Sequence, residues 1–206
     1  MLKRTKGRLL LTLLVVTGFA GTLNTASLST RERKVVILSL KEYKSELIKN
    51  LRGLSQHQLN YQVADGNGSI HETLQHIVAE EAGLWKLLES AMAQPAKPED
   101  RASIVVEDEE ILNASRGGDK CRGKDLAHGK IARLPVQVIL NEFKASRSKQ
   151  LKYIKTTTED LRNRVVDSPI GRIDCYQLLL YMALHTNAHL DEISAATDRA
   201  GFAAGK

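Results

Sequence analysis

Apolar side chains recur at intervals of three and four residues in four separate stretches of this chain, a rhythm that points to a bundle of helices. Val36, Leu40, Tyr43, Leu47 and Leu51 form the first stripe, and Ile70, Leu74, Ile77, Leu84, Leu88 and Met92 the second. Val136, Ile139, Leu140, Phe143, Leu151 and Ile154 form the third; Leu178, Met182, His185, His189 and Glu192 form the fourth. A helix returns to the same face every three or four residues, so each stretch carries one stripe that has to be buried. No segment sustains the period of two expected of a half-buried strand, and no internal repeat is visible.

The ends of these helices are written locally. Ser29-Thr30-Arg31-Glu32 and Ser69-Ile70-His71-Glu72 are capping boxes, in which a hydroxyl and a carboxylate satisfy the free amides of a first turn. They predict a first helix over 30–52, stopping at Gly53, and a second that begins at 69 and ends before Pro95. Pro135 suits the first turn of a third helix reaching about 155, and Asp174 can cap a fourth. Residues 94–133 hold Pro95, Pro98, Gly117, Gly118, Gly123 and Gly129, the composition of a long connection, with one short helical candidate at Glu109 to Ala114. A further helical turn is predicted over 158–164. The fold class is therefore all-α: a four-helix bundle with a long crossover between helices two and three.

The first segment reads as an address. Lys3, Arg4, Lys6 and Arg8 precede twelve uncharged residues, Leu9 to Ala20, followed by the small-residue exits Gly18-Phe19-Ala20 and Thr25-Ala26-Ser27. A basic start, a short apolar run and small residues at a cut site make a secretory signal peptide. Extended to Leu23 the run has 15 residues, short of the ~20 that span a bilayer core, which disfavours the alternative of an uncleaved anchor. The expectation is a signal peptide over 1–26 and one domain over 27–206, exported to the periplasm or outside the cell, with no stable membrane insertion after cleavage. Cleavage also alters the charge. The whole chain carries +6, but the four bases of the leader account for most of it, and the remaining 26 bases face 24 acids. These are dispersed along the chain without a basic face interleaved with aromatics, so nucleic acid is not an expected partner.

Export permits a disulfide between Cys121, in the glycine-rich connection, and Cys175, at a helix start; the alternative is two unrelated thiols. The histidines are more telling. His185 and His189 stand one turn apart on the inward stripe of the fourth helix, where a buried imidazole needs a partner. A divalent metal satisfies both rings; so do hydrogen bonds to polar groups. His76, at the edge of the second stripe, supplies a third candidate ligand, with Glu80 one turn onward and Glu81 on the apolar stripe itself. Three neutral imidazoles would leave an ion its full charge and an open position, the pattern of a catalytic site. His57 and His128 lie in connections, and His71 sits in a first turn facing away.

The order of these features resembles the DinB/YfiT-like family of metal-dependent enzymes across most of residues 31–193. The resemblance rests on Gly53-Leu54-Ser55 with Gln58-Leu59, and on Ser69-Ile70-His71-Glu72-Thr73-Leu74-Gln75-His76-Ile77 with Glu81. It continues through Leu161-Arg162, Gly171-Arg172-Ile173-Asp174, Tyr176-Gln177-Leu178-Leu179 and His185-Thr186-Asn187-Ala188-His189. It implies a four-helix bundle with a three-histidine metal site at His76, His185 and His189. It also implies metal-dependent hydrolysis or thiol-dependent transfer on an unknown small molecule, and dimers formed through helix faces. The chain departs from the family pattern at Gly68, where a tryptophan is common, at Ala188, often arginine, and at Glu192, often glutamine. Glu192 shares the face of His189 and could orient its imidazole or accept a proton, and Glu80 is a second candidate for handling the proton.

The leading expectation is an exported metal-dependent hydrolase that activates water. A thiol-dependent transferase on the same site and a non-catalytic bundle held by the metal are the alternatives. Imidazole donors suit zinc or nickel first, with iron or manganese also compatible.

Overall fold

The computed structural model describes residues 27–62, 68–114, 134–199 and Phe202. Residues 1–26, where a signal peptide is expected, and Cys121 and His128 lie outside them. Helix α1, Thr30–Leu51, begins on the capping box read from the sequence: the Ser29 amide donates to Glu32 at 2.8 Å, and the Glu32 amide donates back to the Ser29 hydroxyl at 3.2 Å. A single turn, α2, spans Gln56–Leu59 on a box of its own between Ser55 and Gln58. The chain bridges Gln62 to Ser69 before entering α3, Ile70–Met92. Gly68, which opens this helix, has φ +77°, and a Cβ there would meet the Glu72 carboxylate at 3.0 Å. A side chain there would be strained by the backbone and crowded against Glu72, which favours glycine at this position of this chain.

A 3-10 turn over Pro98–Ser103 precedes α4, Asp108–Ala114, and α5 runs over Val136–Thr156. The helical turn predicted over 158–164 does not form. The Thr157 hydroxyl accepts from the Glu159 amide, and the Asp160 carboxylate accepts from both the amide and the side chain of Asn163. These local side-chain bonds replace the helical ladder. An antiparallel hairpin follows, β1 over Val165–Ser168 and β2 over Gly171–Asp174. Four-residue strands are too short to impress a period of two on the sequence, so the reading of an all-helical chain missed them. Asp174 ends the hairpin and caps α6, Cys175–Thr197, accepting from the Gln177 amide at 2.8 Å.

The helices pack in a ring: α1 against α6 and α5, and α3 against the same two. That places α1 diagonal to α3 and α5 diagonal to α6 in a four-helix bundle. Helix α6 is additionally covered by α4 and the hairpin, which explains why it is buried almost all round. Among the described residues no helix is long and apolar enough to cross a membrane.

The core divides into two apolar clusters. One gathers Val36, Leu40, Leu84, Leu88, Ile154 and Leu179; the other gathers Leu47, Ile70, Leu74, Ile77, Phe143 and Ile193. On α3 the boundary falls between Ile77 and Leu84, on α5 between Phe143 and Ile154, and on α6 between Ala188 and Leu190. Buried polar side chains gather at or beside that boundary: Glu80, Glu81, Arg147, Gln150, His185 and Thr186. The bundle thus carries a polar layer at mid-height, and the candidate ligands stand in or beside it.

Candidate metal centre

Helix α6 presents His185 and His189 one turn apart, with their Nε2 atoms 3.3 Å from each other. Helix α3 brings His76 across, its ring centroid 5.3 Å from that of His185 and 4.8 Å from that of His189. One ring nitrogen from each of the three lies within 4.8 Å of the others. His185 is buried, whereas His76 and His189 are half-buried, so the cluster opens toward solvent on one side.

The protonation pattern follows from the neighbours. His189 Nδ1 stands 2.9 Å from the Glu192 carboxylate, which accepts, so Nδ1 carries a hydrogen and the neutral tautomer selected is the one with its lone pair on Nε2. His185 is then frustrated. Its Nδ1 is buried and has no hydrogen-bond partner, while its Nε2 faces that of His189. Placing the proton on either nitrogen leaves a polar atom unsatisfied or two lone pairs opposed. Burial pushes His185 well below the ordinary imidazole range, and His189, His76 and Arg147 push the same way, so the ring is held neutral. A neutral ring is the form that donates to a metal.

The spacing of the α6 pair fits such an ion. Metal–nitrogen bonds of about 2.0–2.1 Å in a tetrahedral site set ligand nitrogens roughly 3.3–3.4 Å apart, and the pair on α6 stands at 3.3 Å. The donor set of three imidazoles is one that suits divalent transition metals.

The structure therefore brings His76, His185 and His189 together and seats Glu192 behind His189. Glu80 is buried one turn beyond His76. Cys175 is buried at the start of α6, where burial and the neighbouring Asp174 push its thiol up to about 12; its proposed bridge to Cys121 falls outside the described residues. His71 corrects an expectation: it does not face away but is buried, with Nε2 2.8 Å from the Leu134 carbonyl, because the lead-in to α5 crosses the first turn of α3.

Sequence reasoning missed the ion pair beside the histidines. Arg147 Nη2 lies 2.5 Å from Glu81 Oε1, and neither side chain is more than 1% exposed. Burial pushes the Glu81 carboxyl up and the Arg147 guanidinium down, and each holds the other toward its charged form. Thr186, Gln150 and Ser146 also donate to the carboxylate. A signal existed, since both charges sit on apolar stripes, Arg147 midway between Phe143 and Leu151.

Comparison with known proteins places this geometry in context. Among curated proteins no relative matches at a significant level. The solved structure of YfiT from Bacillus subtilis matches with a TM-score of 0.60 at 16% identity, over 85% of this chain and 91% of that one. At that identity the likeness establishes the shared fold; YfiT itself is described as "a probable metal-dependent hydrolase with an unusual four-helix bundle topology". The family model of the DinB superfamily matches residues 40–193, which include all three histidines. Three quarters of the sequence, and a bundle of the same topology, agree: this chain belongs to the DinB superfamily.

Proposed function

We propose that His76, His185 and His189 hold a divalent transition metal, zinc or nickel in first place, and that the protein is an exported metal-dependent hydrolase. The observation that carries the reading is the convergence of three ring nitrogens from two helices within 4.8 Å. The description of YfiT as a metal-dependent hydrolase supports the choice of reaction class. When bound, the ion supplies Lewis acidity and makes water a nucleophile near neutral pH.

The chain's own residues do the rest. His185, buried and neutral, offers a lone pair without first losing a proton. Glu192 accepts from His189 Nδ1 and thereby aims Nε2 into the cluster, the role that outer carboxylates play at metal-bound histidines. The half-buried rings of His76 and His189 leave a side from which a small molecule can approach. Glu80 is the nearest buried carboxyl along α3 and the candidate to take up a proton.

The test is elemental analysis of the mature protein, purified without a histidine tag. Near-stoichiometric metal is expected, and a His76→Ala/His189→Ala variant should lose it. A variant that retains full stoichiometry would place any metal elsewhere.

A further inference from the structure

Arg147 and Glu81 face each other at mid-height in the bundle, fully shielded from water. Such a pair is a poor source of stability, because desolvating two charges offsets their attraction, and apolar replacement of the whole pair is often neutral or stabilising. Arg147 Nε, buried and without a hydrogen-bond partner, adds a further cost. The arrangement calls for another explanation, and its connectivity supplies one.

Besides bonds within α5 and from Ser146 and Gln150 to Glu81, the pair is linked to both helices that carry histidines of the cluster. From α5, Arg147 donates to the Thr186 hydroxyl and, at 3.3 Å, to the Met182 carbonyl. These α6 residues bracket His185, one adjacent to it and the other three positions before. The Thr186 hydroxyl in turn donates to Glu81 Oε1 at 3.1 Å, and Glu81 lies on α3 five residues after His76. The two ligand-bearing helices are therefore tied by a directional link, whereas apolar contacts alone would let them slide by fractions of an ångström. A metal site tolerates little of that, since its ligands must hold their geometry to about 0.5 Å.

We propose that the Arg147–Glu81 pair, acting through Thr186, is a positioning device that fixes His76 relative to His185 and His189. The inference rests on the metal-binding reading, and the experiment separates the two. Zinc affinity is measured by competition with a chromophoric chelator, beside the melting temperature of the metal-free protein. The variants are Glu81→Leu/Arg147→Met, which removes both charges, and Thr186→Val, which removes the linking hydroxyl and keeps the pair. The double variant should melt at or above the wild-type temperature when metal-free, yet bind zinc 10- to 100-fold more weakly, the range seen when supports of metal ligands are removed. Thr186→Val should weaken binding several-fold, and it decides the matter if the double variant fails to fold. Zinc affinity equal to wild type in a folded variant overturns the proposal while leaving the metal site standing. A wild-type protein that takes up no zinc overturns the metal reading, and the proposal with it.

Discussion

Replacing Arg162 with leucine should cost the fold about 3 kcal/mol, because one guanidinium there serves three helix starts. Its Nη2 lies 2.5 Å from both Glu32 and Asp108, and its Nη1 lies 2.9 Å from Asp174. Glu32 closes the capping box of α1, Asp108 opens α4, and Asp174 caps α6. The guanidinium carbon also stands 3.9 Å over the ring of Tyr176. The magnitude turns on Asp174, which is 1% exposed; without Arg162 its nearest cation is Arg101, at 3.5 Å and 41% exposed. Breaking a buried pair by removing one partner costs roughly 3–5 kcal/mol. Arg162 is 21% exposed, which puts the cost at the lower end of that range. For a domain of this size about 3 kcal/mol corresponds to a fall of roughly 6–12 °C in Tm. The assay is thermal and urea unfolding of Arg162→Leu beside Arg162→Leu/Asp174→Asn. Asparagine caps a helix about as well as aspartate but carries no charge to strand, so the double variant should recover at least half of the loss. A single variant within about 0.5 kcal/mol of wild type, the ordinary range for surface changes, would refute the reasoning.

The remaining predictions concern the site and the leader. Glu192→Ala should lower metal affinity about tenfold or more, whereas Glu192→Gln, which still accepts from His189 Nδ1, should retain most of it; chelator competition reads both. The metal-free protein should lose stability as pH falls. His185 is held neutral in the fold below its ordinary range, so the unfolded chain binds its proton first, and the slope approaches about 1.4 kcal/mol per pH unit below about 6.5. At lower pH Glu32 acts in the same direction: burial raises its carboxyl, but bonds from Ser29 and Arg162 outweigh this and leave it below the usual carboxylate range. Unfolding curves between pH 7 and 5 that are flat, or unchanged by His185→Gln, would count against the first part. N-terminal sequencing of the protein recovered from outside the cytoplasm should begin at Ser27; an intact Met1 there would exclude cleavage.

What could be read in advance was what is local. The capping boxes at Ser29 and Ser69 and the cap at Asp174 each place donor and acceptor three residues apart, and all formed as read; the box at Ser55, equally local, was passed over. His185 and His189 were legible for the same reason, since one helical turn separates them. The hairpin was not, because four residues per strand leave no measurable alternation, and neither was Arg162. Its carboxylate partners lie 130, 54 and 12 positions away, so their convergence depends on how α1, α4 and the hairpin fold together.

The polar layer shows how much of the illegible part leaves a trace. A chain shaped by packing alone would place leucine at positions 81 and 147, where the apolar stripes of α3 and α5 run. Each charge by itself contradicts the pattern of its own helix. Taken together the contradictions cancel, since the two helices are neighbours in the bundle and the charges have opposite sign. Charges on stripes of facing helices are therefore a signature of a built layer even before coordinates exist. In this chain the layer adjoins the inward histidines, and Thr186, the residue after His185, bonds to both members of the pair. Stability does not require a charged pair there, and the geometry of three converging imidazoles does require a fixed spacing between α3 and α6. That coincidence of place ties the core's departure from apolar packing to the site it surrounds.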